Sequence, residues 1–174
     1  LRDYCPSTTF YLPSRANPGF FEKLRDDKVV LYHLNVKEER HIIWSIDEKV
    51  GLMPPAITAG MCALRLGIVL GYRRFIIYGM DGSFAKSEMA PGGYESHAGG
   101  HPNAGESKML SVVEVEGRQF ATNMLHLLAI DDFFVISSQF PVGTFRFVGD
   151  GLIPWVEKVA RRARELRDEL DAAG

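Results

Sequence analysis

Apolar positions along the chain either cluster in short runs or wind around longer ones, and the difference predicts the elements. Residues 74–80, Arg-Phe-Ile-Ile-Tyr-Gly-Met, form a β-branched and aromatic run that predicts a strand leading to Asp81. Ahead of it, Met61, Cys62, Ala63, Leu64, Leu66, Ile68, Val69 and Leu70 place apolar groups almost all around a helix over 58–72. Thr58 is suited to cap its start and Gly71 to stop it, and a helix so apolar is expected to be covered on most sides. A helix followed closely by a strand is the succession of a parallel sheet, so the fold class expected is α/β with a mostly parallel sheet.

The flanking pattern is less uniform. Thr8 to Leu12 predicts a short strand, and Asn17-Pro18 a helix start running to about Asp26. Val29 to Asn35 reads as a buried strand, whereas Lys37 to Val50 fits a short helix or an edge strand equally, up to the stop at Pro54-Pro55. Residues 85–108 contain no Leu, Ile, Val or Phe and predict a long polar loop. Ser111 to Val115 and Arg118 to Ala121, joined by Glu116-Gly117, read as a hairpin, after which Thr122 is expected to cap a helix to about Ser138. Thr144 to Val148 predicts a last strand. An amphipathic helix over 153–171 then follows, with Pro154 in its first turn. Ile153, Val156, Val159, Ala160, Ala163, Leu166 and Leu170 form its stripe. The opposite face, from Glu157 through Arg161, Arg162, Arg164, Glu165, Arg167, Asp168 and Glu169, reads as solvated, with Arg161 to Glu165 and Arg164 to Asp168 at pairing distance.

Composition narrows the classes. A chain of 174 residues with 46% hydrophobic and 24% charged residues suits a single domain over 1–174 with a real core. A formal net charge of −2 gives no general attraction to nucleic acid or an anionic membrane, so no nucleic-acid partner is expected. No apolar run is long enough to span a bilayer, and no basic segment followed by an apolar one opens the chain, which leaves the cytoplasm as the expected location. Cys5 and Cys62 do not make a disulfide framework or a metal knuckle, and a reducing compartment fits them. Leu1 in place of Met is read as the start of a fragment, and a homo-oligomer is compatible with the composition.

The candidate chemistry gathers around Asp81. In open α/β sheets ligands bind beyond the carboxyl ends of strands, where helix N-termini offer N–H groups to anions, and Asp81 and Thr58 fall at such ends. Asp81 can orient a substrate hydroxyl, hold a divalent metal bridging phosphates, or cap the turn Asp81-Gly82-Ser83, whose backbone adds donors. His97 and His101 are four apart, but Gly99-Gly100 between them and Pro102 after them argue for a loop over a helical metal pair. A loop imidazole suits general acid or base work near neutral pH. His33, His41 and His126 lie inside regular segments and read as structural. No Gly-x-Ser-x-Gly elbow, Walker-type loop or Cys-x-x-Cys is present.

The segment TAGMCALRLGIVLGYRRFIIYGMDGSF, with the loop Ser96-His97-Ala98-Gly99-Gly100-His101-Pro102-Asn103 after it, resembles the 6-hydroxymethylpterin diphosphokinase-like family, which includes the flagellin-modifying motility accessory factors. It is similar, more distantly, to bacterial sialyltransferases that use CMP-sialic acid. The likeness runs over roughly residues 55–152. It implies a Rossmann-like three-layer domain and a nucleotide-dependent transferase. The leading reaction is glycosyl transfer from a nucleotide sugar to a small-molecule or glycan acceptor, in surface glycan or flagellin modification; the alternative is diphosphoryl transfer from ATP with Mg²⁺ to a pterin-like alcohol.

By the same resemblance Asp81 matches the strand-end aspartate, His101 the general base of the sialyltransferase loop, and His97 the single loop histidine of the diphosphokinase-like proteins. Thr58, Ala59, Gly60, Gly82, Ser83 and Asn103 are the expected nucleotide contacts. Two features depart from the pattern. The Gly-x-Gly-Pro-Ser-type nucleotide loop with which members begin is absent, so that first portion of the fold is expected upstream of Leu1, and Ala59 and Gly60 stand where the sialyltransferases carry tyrosines. A non-catalytic binding or assembly module, with the terminal helix as its interface, is the rival class.

Overall fold

The computed structural model describes residues 8–24, 28–86, 94–95, 111–140 and 144–173, which fall into two compact units, Leu1–Pro55 and Ala56–Gly174. The architecture is mixed α/β, built among the described residues from two-stranded sheets, two parallel and two antiparallel.

In the first unit β1 (Phe10–Pro13) and β2 (Val29–Tyr32) pair in parallel, Phe10 opposite Val29 and Pro13 opposite Tyr32. Between them lies α1 (Pro18–Phe21), capped by the Asn17 side chain, which accepts from the Gly19 N–H at 2.9 Å. The predicted helix is cut to one turn because the N–H groups of Lys23 and Leu24 bond to Phe20 and Phe21, three residues back, and tighten the chain into turns. Nor is β2 buried as its apolar run suggests. In a two-stranded sheet both strands are edges, and Val30 and Leu31 are 44% and 50% exposed. The ambiguous stretch is helical, α2 (Lys37–Ile46), with Glu38 and Glu39 favourably placed in its first turn. Val36 caps nothing with its side chain; instead Glu39 reaches back to accept from the Leu34 N–H at 3.1 Å and from the Ser14 hydroxyl.

The second unit opens with α3 (Ala59–Val69), whose N-cap Thr58 accepts from the Met61 N–H at 3.2 Å as its sequence predicts. β3 (Arg74–Tyr78) follows, two residues shorter than its apolar run because Gly79 turns out of the extended region at φ +72°. Within the polar segment, β4 (Ala85–Lys86) and β5 (Tyr94–Glu95) form a short antiparallel pair. The hairpin is as expected: β6 (Ser111–Val115) and β7 (Arg118–Thr122), with Glu116 and Gly117 at φ 48° and 73°, the backbone of a tight hairpin turn. Then come α4 (Met124–Gln139), β8 (Thr144–Val148) and α5 (Leu152–Ala173). β8 pairs in parallel with β3, Arg74 opposite Thr144 and Tyr78 opposite Val148.

The core lies where one face of β3 and β8 meets α3 and α4. Met61, Leu64, Ala129, Phe133, Ile136, Phe147 and Ile153 are buried together. The Phe133 ring stands edge-on to Phe147 and Phe145 with centroids 4.9 and 5.7 Å apart, a geometry that adds to the burial itself. α3 is tied to α4 by Asp132, which pairs with Arg65 and accepts from the Ile57 N–H at 3.2 Å. Because α3 presents one side to these neighbours, its covering is partial: Met61 and Leu64 are buried while Val69 and Leu70 remain exposed.

Two further expectations shift. The cap of α4 is Asn123, whose Oδ1 accepts from the His126 N–H at 3.0 Å; Thr122, one residue earlier, is the last residue of β7 and faces inward. On α5, Glu157 is buried instead of solvated, its carboxylate 3.3 Å from Arg161 Nε. The helix enters beside the hairpin there: Trp155 donates to the Val115 carbonyl at 2.9 Å, and Arg118, held by Asp150, lies over the Trp155 ring. Farther along, the solvated reading holds, with Arg161 and Glu165 3.7 Å apart.

Candidate functional site

The segment after β3 is folded by its glycines. Gly79 and Gly82 have φ +72° and +64°, and at Gly82 a Cβ would lie 2.5 Å from Ile153 Cγ1. Glycine therefore lets residues 79–84 curl back against the start of α5. Three bonds fix that curl. The Asp81 carbonyl accepts from the Ile153 N–H at 2.9 Å, the Ser83 hydroxyl accepts from the Leu152 N–H at 3.1 Å, and Thr122 Oγ1 donates to the Gly82 carbonyl at 2.8 Å. Phe84 then pairs with Ala121 across an antiparallel bridge, its N–H 2.9 Å from the Ala121 carbonyl.

Between this turn and the first turn of α3 is a cavity of about 400 Å³ at the carboxyl end of β3. Thr58, Ala59 and Gly60 form one wall, and Asp81, Gly82 and Ser83 another. Six expected site residues from two separate stretches of sequence are thus brought together. His97, His101 and Asn103 lie outside the described residues. Thr58 occupies the N–H groups of Met61, through its side chain, and Cys62, through its carbonyl at 2.9 Å. Helix geometry leaves the N–H groups of Ala59 and Gly60 without intrahelical partners. They carry the positive end of the α3 dipole, which favours an anion.

Asp81 is half-buried, and its Oδ1 would meet a Cβ at Gly149 at 2.5 Å, so the carboxylate nestles against the glycine three residues before α5. It is the one carboxylate lining the cavity among the described residues, and these residues hold no group of three or more candidate metal ligands. A Mg²⁺ ion bound chiefly through substrate phosphates needs only one or two protein carboxylates, and Asp81 fits that requirement.

The cavity also contains a histidine whose sequence setting alone reads as structural. His126, in the first turn of α4, lines it with its ring 5.2 Å from that of Phe84. Its Nδ1 is buried and has no hydrogen-bond partner among the described residues, and burial pushes the imidazole below its ordinary pKa, so the ring is neutral at pH 7. The available signal was the spacing Asn123-x-x-His126, which puts the histidine one turn into a helix that starts directly from a strand end.

An anion-favouring helix terminus, a single carboxylate and a neutral imidazole thus share one pocket whose other walls include the apolar side chains of Met80, Phe84, Ala129 and Ile153. Such a pocket can seat a ligand with an apolar or ring-like body and a negative group, and can move a proton near neutral pH. Among the described residues no helix is long and apolar enough to cross a membrane. Compared with known proteins, the chain matches no family model, no curated protein and no solved structure.

Proposed function

We propose that this chain is a nucleotide-dependent transferase of Rossmann-like α/β build, with the cavity at the end of β3 as its nucleotide-phosphate site and glycosyl transfer from a nucleotide-activated sugar as its reaction. The observation that carries the reading is the convergence of Thr58 to Gly60 and Asp81 to Ser83 on one cavity. In glycosyl transfer the leaving phosphate gains charge as the acceptor hydroxyl loses its proton. The N–H groups of Ala59 and Gly60 suit the first requirement. For the second, His101 is the base expected from the resemblance to the sialyltransferases and His97 the loop histidine expected from the resemblance to the diphosphokinase-like family, while His126 is the imidazole that lines the cavity itself. The resemblance supports surface glycan or flagellin modification as the setting.

Asp81 favours a second reading, diphosphoryl transfer from ATP, because a carboxylate at a strand end is what a phosphate-bridging Mg²⁺ requires. Its side chain would hold the ion, and the ion would neutralise phosphate charge. A thermal-shift panel with ATP, GTP, CMP, CDP and UDP, each with and without Mg²⁺, separates the two. Stabilisation by CMP, CDP or UDP without metal is expected for glycosyl transfer, and a Mg²⁺-dependent ATP shift for diphosphoryl transfer. No shift with any nucleotide overturns both and leaves a non-catalytic module.

A further inference from the structure

We propose that the exposed half of α5 pairs, antiparallel, with the same segment of a second copy of this chain. The inference is independent of the cavity and its chemistry. Val156, Val159, Ala163, Leu166 and Leu170 follow one another at intervals of three and four, the spacing of a coiled-coil seam. Val156 and Val159 are half-covered by the protein's own core, but from Arg161 to Ala172 every residue is exposed. Leu166 is 51% exposed and Leu170 74%.

The charges beside the seam choose partner and direction. With Ala163 and Leu170 at a and Val159 and Leu166 at d, Arg162 and Glu169 fall at g, and Ala160 and Arg167 at e. In a parallel pair g faces the following e of the other helix, which sets Arg162 against Arg167 twice. In an antiparallel pair g faces g and e faces e. Arg162 then meets Glu169 twice, and Arg167 meets the uncharged Ala160. The seam agrees with this direction, because Ala163 falls opposite Leu166 and Val159 opposite Leu170, small against large in each layer. Among the described residues Arg162 and Glu169 make no ion pair within their own chain, whereas Arg161 is engaged by Glu157 and Glu165.

So short a seam gives a weak, concentration-dependent dimer. A free helix of this length is marginal in water, but α5 is already held at its first turn by Ser83, Asp81 and Val115, so pairing does not have to nucleate it.

Sedimentation equilibrium on the full chain over a concentration series tests the proposal, with Arg162→Glu, Glu169→Arg and the double variant beside the parent. Both positions are exposed, so folding is preserved and circular dichroism verifies it. The parent is expected to dimerise reversibly. Each single variant, by placing like charges together twice, should weaken dimerisation about tenfold, and the double variant should restore it. A parent that stays monomeric throughout overturns the proposal, as does a dimer that the single variants leave unchanged, or a double variant that shows no recovery. An Ala163→Cys chain that oxidises readily to a disulfide-linked dimer also overturns it, because only the parallel register places those two positions face to face.

Discussion

Thr122 and Gly82 meet where no solvent reaches: the threonine hydroxyl, on a residue with 0% exposure, donates to the glycine carbonyl at 2.8 Å. The bond joins the end of β7 to the turn that walls the cavity. Thr122→Val keeps the shape and removes the donor, leaving a buried carbonyl unsatisfied at a cost of about 1–3 kcal/mol. Chemical denaturation should show that loss with an unchanged slope. Thr122→Ser, which keeps the hydroxyl, should lose less than the valine variant.

Asp132 makes a sharper case. It pairs with Arg65 and also accepts from the Ile57 N–H, and both charged side chains are close to nine-tenths buried, with 9% and 11% of their surface exposed. Asp132→Ala strands the guanidinium of Arg65 in the interior and is expected to cost about 3–5 kcal/mol. Exchanging both partners for apolar residues, Arg65→Met with Asp132→Leu, should recover most of that difference. Urea midpoints of the parent, single and double variants measure it.

Gly82→Ala introduces a Cβ at positive φ and within contact of Ile153. Strain of about 1 kcal/mol or more follows from the backbone alone, and the steric conflict adds to it. The expected result is a lower melting temperature and, on the function proposed above, weaker nucleotide binding. A variant that melts and binds like the parent would show that the turn relaxes freely.

His126 gives a prediction in pH. Burial lowers its pKa in the folded protein below the ordinary 6.5, so the unfolded chain binds the proton more readily. Between 6.5 and the lower folded value, stability therefore rises with pH and falls as the solution is acidified. His126→Gln removes this contribution. The difference in unfolding free energy between parent and variant should shift in the variant's favour as pH drops below about 6.5 and stay constant above pH 7.5.

Much of the scaffold could be read from residue order because local signals agreed there. The Thr58 cap, the apolar helix after it and the run from Phe75 to Tyr78 all point to one arrangement, and the hairpin around Glu116-Gly117 declares its own turn. Where reading failed, tertiary context had decided between locally equal choices. Thr122 and Asn123 are both good caps, and Thr122 was claimed by the Gly82 carbonyl instead. Glu157 has the chemistry of a solvated helix face, but its position one turn into α5 places it inside the protein. Val30 and Leu31 carry the composition of a buried strand, yet how much of a strand is covered depends on what packs around it. For the site, sequence singled out Asp81 and the turn after it. It did not place His126 at the cavity, because a histidine in an apolar helical run looks structural until the distant turn that completes the pocket is in place.

The bonds from Asp81 and Ser83 to the first turn of α5 have a consequence for exchange kinetics. The amide hydrogens of Leu152 and Ile153 are held by atoms of the cavity wall, so they can exchange with solvent only when that wall opens. Any ligand that steadies the wall must slow their exchange, and loosening of the helix start must in turn be felt in the pocket. Those two amides are thus built-in reporters of occupancy, readable by deuterium uptake without knowing the ligand's identity beforehand.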